Sequence, residues 1–192
     1  MSKLEIVLAS SSKIRRSIIS NYDVDVIFCN PKINEEQLKQ DNLNLNSRSL
    51  AALLAKSKAL SLADKFSEKF ILGCDQMCIF NDKIMSKPLD EDKAISNLKE
   101  LSGKTHNLFG AYCLSKGNEI IIEHQIECEM EMRKLTDSEI EEYVALDKPL
   151  ESCGAYKFEA NGFKLFKSVI GSLEAINGLP FGDLKELIDA KL

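Results

Sequence analysis

The chain has 192 residues, 44% hydrophobic and 29% charged, with a formal net charge of −5. That balance allows a sizeable core, suits one domain or two small lobes, and excludes the basic surface that long nucleic acid requires. No apolar stretch reaches spanning length, the N-terminus lacks a signal-peptide core, and six scattered cysteines without a CxxC pair read as reduced thiols in a cytoplasm.

Leu4 to Ala9 (LEIVLA) is a short β-branched run and predicts a strand. SSS follows, and KIRRSIIS reads as a helix opened by a serine cap. DVDVIF alternates as a strand does. The polar, Asn-rich KINEEQLKQDNLNLNS reads as a loop or mobile flap, and Ser49 to Phe66 as a helix with a broad Leu/Ala face. FILGC and MCIF are predicted strands interrupted by Asp75 and Gln76, and Asn81–Asp82 is a turn signal. DEDKAISNLKEL is an amphipathic helix capped by Asp90 and stopped by Gly103. HNLFGAYCL and the alternating Ile120 to Met132 read as strands joined by the turn KGNE. Thr136 to Glu139 is a capping box opening the helix SEIEEYVAL; FKLFKSVI follows as a strand and DLKELIDAKL as a closing helix. Interleaved strands and helices with one antiparallel hairpin predict an α/β fold with a mixed sheet.

Several side chains stand out chemically. Ser10-Ser11-Ser12-Lys13-Ile14-Arg15-Arg16 lies where a strand end passes into a helix start. Free N–H groups, hydroxyls and two guanidiniums there suit phosphate oxygens; the plain alternative is a capped helix beside a basic turn. Lys58 falls inside an apolar helical arc between Leu54 and Leu62, so it either snorkels outward or meets a buried negative charge. Lys87 precedes Pro88 and is therefore held extended. Lys157 and Glu159 alternate with Tyr156 and Phe158, and on a strand would share a face. Asp75 and the Glu35–Glu36 pair are the candidates for holding a divalent ion, and Asp75 alternatively for deprotonating a water. His106 and His124 lie in no recognisable catalytic setting and read as structural.

The ordered fragments LASSSKIRR, INE, LAKSKA, LGCDQ, SKPLDEDKA, LSGKTH, LTDSEIEEYV, ESCGAYKFE and NGLP together resemble the Maf family of nucleoside triphosphate pyrophosphatases over nearly the whole chain. The resemblance implies a single Maf-like domain over 1–192. It implies an elongated mixed β-sheet flanked by helices, in two lobes with a central cleft, as in ITPase-like proteins. It also implies a cytoplasmic, often dimeric enzyme that hydrolyses a nucleoside triphosphate to the monophosphate and pyrophosphate, with a divalent cation such as Mg²⁺ or Mn²⁺.

Carried over residue by residue, Ser10, Arg15 and Arg16 match the phosphate-binding start, and Ile14 stands where the family branch nearest this chain has Trp. Glu35 matches a metal-side acid, Lys58 and Lys87 the two lysines, and Asp75 the proton acceptor, itself a candidate metal ligand. Gln76 and Glu159 resemble the branch acting on 7-methyl-GTP; the alternatives are dTTP/UTP specificity, or a nucleotide-binding regulator linked to septum formation. Further departures from the family pattern are Asn34 for Asp, Ser86 for Gly and Lys104 for Arg.

Overall fold

The computed structural model describes residues 3–191. Its elements in chain order are β1 (Glu5–Ala9), α1 (Lys13–Ile19), β2 (Asp25–Cys29), α2 (Glu35–Gln40), α3 (Ser47–Leu60), β3 (Phe70–Phe80), β4 (Lys83–Met85) and α4 (Glu91–Leu101). β5 (Thr105–Lys116), β6 (Glu119–Met132), α5 (Asp137–Asp147), β7 (Phe166–Ile170), α6 (Leu173–Ile176) and α7 (Phe181–Lys191) follow. Short 3-10 turns lie at Cys153–Ala155 and Gly162–Leu165. Among the described residues the strands form one seven-stranded mixed sheet of order β2-β1-β3-β5-β6-β7, with β4 paired to β3. The fold is therefore the α/β class with a mixed sheet and flanking helices.

The chain divides into two compact units. The first comprises Met1–Asp75, Gly110–Ile126 and Leu173–Leu192; the second comprises Gln76–Phe109 and Glu127–Ser172. In the first unit β1 lies parallel to β2 and β3 on its two sides, pairing Val7 with Ile27 and with Ile71. Both edges of β1 are thus occupied, and Ile6, Val7, Leu8 and Ala9 are fully buried, which explains why the segment is an unbroken apolar run. Ile6 and Leu8 pack with Ile18, Ile19, Leu72, Phe181 and Ile188. Side chains of that size contribute about 1.5–3 kcal/mol each on full burial.

Gly73 sets how closely α3 lies on β3. A methyl group there would sit 2.7 Å from the Ala59 nitrogen and closer still to the Ala55 carbonyl oxygen. Only a residue without a side chain permits this approach. Strand alternation places Asp75 on the same face as Gly73, so its carboxylate also meets α3.

In the second unit β3 and β4 form a tight hairpin pairing Phe80 with Lys83. The intervening Asn81 and Asp82 both take positive φ, 50° and 60°, which Asn and Asp tolerate best after glycine. β6 and β7 pair antiparallel, Met130 opposite Val169. His106 is buried, its Nε2 2.8 Å from the Tyr156 hydroxyl, while its Nδ1 is buried without a hydrogen-bond partner. Phe166 stacks edge-on to Tyr156 with ring centroids 4.9 Å apart.

Several sequence expectations need correction. The Asn-rich segment is not a plain loop: Asn34 accepts from the Gln37 N–H at 3.1 Å and opens α2, whose first turn carries Glu35 and Glu36. β3 is continuous through Asp75 and Gln76 rather than broken there. Tyr156 to Asn161 is turn and irregular backbone, not strand. Of FKLFKSVI only Phe166–Ile170 is strand, because Gly162–Leu165 closes a 3-10 turn first. The helix expected from Ser49 to Phe66 starts earlier, after the Asn46 cap, and ends at Leu60; β4 and α6 went unpredicted.

Candidate active site

In the first unit β1 delivers Ser10 directly into the turn before α1. Ser10 is buried, and its hydroxyl accepts from the Ser12 N–H at 3.1 Å. Ser12 in turn caps α1 by accepting from the Arg15 N–H. Arg16 folds back over this turn: Nε and Nη2 donate to the Ser10 carbonyl at 3.0 and 2.7 Å, and Nη2 also donates to Asn30 Oδ1 at 2.8 Å. Its guanidinium lies 5.3 Å from the Phe28 ring centroid, close enough for a cation–π contact. Arg15 Nη1 donates to the Cys74 carbonyl at 3.0 Å, which ties the turn to the strand position just before Asp75. Ile14 packs partly against the first unit's core.

The strongest electrostatic feature is Lys58. It does not snorkel. Its side chain is 8% exposed, and Nζ lies 2.7 Å from Asp75 Oδ1 and 3.2 Å from Glu35 Oε1. Asp75 is 11% exposed, whereas Glu35, at the start of α2, is 41% exposed. Burial raises the Asp75 pKa above the usual carboxylate range; the Lys58 and Arg15 charges oppose this, and Glu35 adds to it. A buried aspartate in a strand is therefore tolerated because an ammonium from α3 reaches it. Breaking one half of such a pair costs more than the pair's net value.

The donor set here is two carboxylates and a serine hydroxyl, all hard oxygen ligands. Among the described residues no group of three or more His, Cys, Asp or Glu could hold a metal ion by itself. Two carboxylates suit Mg²⁺ or Mn²⁺ when substrate oxygens and water complete the coordination. Glu35 and Asp75 fit such an ion, and Asp75 Oδ2 has no hydrogen-bond partner among the described residues.

The second unit carries Gln76, Lys87 and Glu159. Gln76 is half-buried and points to the opposite face of β3 from Asp75. Lys87 is 57% exposed, and its ion pair with Glu151 spans 3.6 Å, a weak surface contact. Its segment is nevertheless pinned: Asn97 Nδ2 donates to the Ser86 carbonyl at 3.3 Å, and the Leu89 N–H donates to Leu150 O at 3.0 Å. Glu159 is exposed in the turn after Lys157 and makes no hydrogen bond or ion pair among the described residues. Lys157 does not share its surface, because Nζ donates to the Asp147 carbonyl at 2.7 Å.

Sequence reading missed Asp147 and Asn161, which fix that turn. The available signal was Asn161-Gly162, a turn dipeptide.

The Maf-like protein family model matches residues 5–191. A Legionella pneumophila protein named nucleoside triphosphate pyrophosphatase is 36% identical over 175 residues, covering 91% of this chain and 88% of that one. A Bdellovibrio bacteriovorus protein named 7-methyl-GTP pyrophosphatase is 35% identical over 190 residues, 98% of each chain. A Pyrococcus furiosus protein named dTTP/UTP pyrophosphatase is 34% identical over 185 residues, covering 96% of this chain and 94% of its own. An α/β protein in which a helix lysine pairs with an aspartate in the middle of a central strand is the class that the fold defines. The chain belongs to the Maf family.

Proposed function

We propose that this chain hydrolyses a nucleoside triphosphate to the monophosphate and pyrophosphate, breaking the anhydride between the α and β phosphates, with 7-methyl-GTP as preferred substrate. The observation that carries the reaction type is the Glu35–Lys58–Asp75 constellation beside the Ser10–Arg16 turn. Relatives named as nucleotide pyrophosphatases support it.

In this reading Asp75 takes a proton from the attacking water. Its pKa, raised by burial, makes it a better base than an ordinary aspartate. Lys58 favours the ionised carboxylate and fixes its orientation. Arg15, Ser10 and Lys87 supply donors to phosphate oxygens. Arg16 has a second task, since two of its hydrogen bonds hold the Ser10 carbonyl and a third ties it to Asn30. Glu35 and Asp75 would hold a divalent cation, which when bound supplies positive charge against the phosphate oxygens.

The base assignment rests on Glu159. A 7-methylguanine ring is cationic and presents two adjacent N–H donors, which an unengaged carboxylate can accept together. Uracil and thymine present one N–H between two carbonyl oxygens, which a carboxylate repels. Gln76 can donate to the guanine oxygen or steady Glu159. Ile14 adds at most an apolar contact.

The test is pyrophosphate release from 7-methyl-GTP, GTP, UTP and dTTP, with Mg²⁺ and with Mn²⁺, ranked by kcat/KM. Turnover led by 7-methyl-GTP is expected. A lead for UTP or dTTP overturns the base assignment, and nucleotide binding without turnover overturns the reaction.

A further inference from the structure

The segment that presents Glu159 has no regular secondary structure, yet it is closely held. The N–H groups of Ala160 and Gly162 both donate to the Lys157 carbonyl, at 3.1 and 2.9 Å, closing the turn on itself. Gly162 allows this closure because a Cβ there would collide with the Lys157 backbone.

The closed turn is then fastened to the end of α5. Asp147 Oδ2 accepts from the Asn161 backbone N–H at 2.9 Å, and Oδ1 accepts from Asn161 Nδ2 at 2.7 Å. Lys157 Nζ donates to the Asp147 carbonyl at 2.7 Å, and the Lys157 N–H donates to the Tyr143 hydroxyl at 2.8 Å. One helical residue therefore grips the turn on both sides of Glu159.

Asp147 is in an unfavourable place for helix stability alone. It is the last residue of α5, where the helix dipole disfavours a carboxylate. Lys148 after it takes a left-handed φ of 44° without being glycine. Both features are expected where the helix end serves the turn rather than its own termination. Glu159 itself remains free of partners, so its position is set through its neighbours.

We propose that Asp147 is a positioning residue for base discrimination: through Asn161 and Lys157 it fixes the turn that aims Glu159. This rests on the reading of Glu159 given above. Asp147 touches no substrate in this account. Loosening the turn lets Glu159 wander, so the two-bond geometry that distinguishes guanine from uracil is lost while any single bond survives.

The experiment compares wild type with Asp147→Asn, Asn161→Asp, the double variant carrying both changes, and Glu159→Gln. Each receives 7-methyl-GTP and UTP under one metal and one pH. In Asp147→Asn an amide N–H faces one of the Asn161 donors, so one bond is replaced by a repulsion. In the double variant the polarity of the side-chain pair is reversed: residue 147 donates to residue 161 and still accepts from its backbone N–H.

Asp147→Asn is expected to compress the kcat/KM ratio between the two nucleotides by about 10-fold, through KM for 7-methyl-GTP more than through kcat. The double variant is expected to recover most of the ratio, which a general loss of stability does not predict. If Glu159→Gln collapses the ratio while Asp147→Asn leaves it intact, or if the double variant stays as poor as the single ones, Asp147 has no positioning role. If Glu159→Gln itself leaves the ratio unchanged, the reading of Glu159 fails first, and the role of Asp147 goes with it.

Discussion

The two places proposed to meet the nucleotide are built in opposite ways. Asp75 sits on a buried strand, 11% exposed, with an ammonium from a neighbouring helix on its carboxylate. Glu159 sits on an exposed turn, without a partner, and only the backbone around it is fixed. Proton transfer is helped by a perturbed pKa, which burial, nearby charges and hydrogen bonds provide. Recognition of a cationic base needs an unengaged acceptor at the surface. The contrast predicts that damage at the first place lowers rate for every nucleotide, and damage at the second changes only which nucleotide is preferred.

Asp75→Asn breaks the comparison most severely. It is expected to lower kcat by about 10²–10⁴-fold, the scale of a lost general base, and by the same factor for each base. Steady-state pyrophosphate release across the four triphosphates checks this, and near-normal turnover would remove Asp75 from the mechanism. Next in size is Glu159→Gln. The preference for 7-methyl-GTP over UTP should shrink by about 10- to 100-fold, matching about 1.5–3 kcal/mol for charge-assisted bonds. A uniform fall for both nucleotides would place Glu159 in general binding instead.

Lys58→Met sharpens the comparison through pH. The base must be ionised, so kcat/KM falls as pH drops through the Asp75 pKa. Burial has already raised that pKa, and the Lys58 charge is the largest influence lowering it. Removing the ammonium should move the acid limb upward, along with a loss of rate. An unmoved limb would mean that another group controls it. The smallest effect expected is at Lys87: its exposed ammonium has only a weak ion pair to lose, so Lys87→Ala should leave the melting temperature within about 1 °C. The same variant should raise KM similarly for every base.

What the sequence made legible was local. Ser12, Asp90 and Thr136 cap α1, α4 and α5 as read, because a cap and the helix it starts lie within four residues. The continuity of β3 was not legible. Asp75 and Gln76 look like breakers until Lys58, 17 positions earlier, is seen to satisfy the carboxylate. The helix at Glu35 was hidden by its asparagines, yet Asn34 is the cap that makes it. An Asp at this position could cap the helix equally well. Ser10, Arg15, Arg16, Lys58, Lys87 and Asp75 stand out chemically in the sequence; their pairing comes from tertiary contacts. Asp147 was invisible for the same reason, its partner lying 14 positions away.

The unpartnered Nδ1 of His106 has a consequence for how the second unit responds to acid. Burial lowers the pKa of this imidazole to about 4, so the folded chain refuses a proton that the unfolded chain binds near pH 6.5. Stability contributed by the neutral ring is complete above pH 6.5 and is lost as pH falls toward 4. The linkage amounts to about 3 kcal/mol over that window, a large part of a typical domain's margin. Denaturant midpoints measured at pH 7.5 and 4.5 should therefore differ more in the wild type than in His106→Gln, whose amide does not titrate. An equal drop in both would assign the acid sensitivity to other groups.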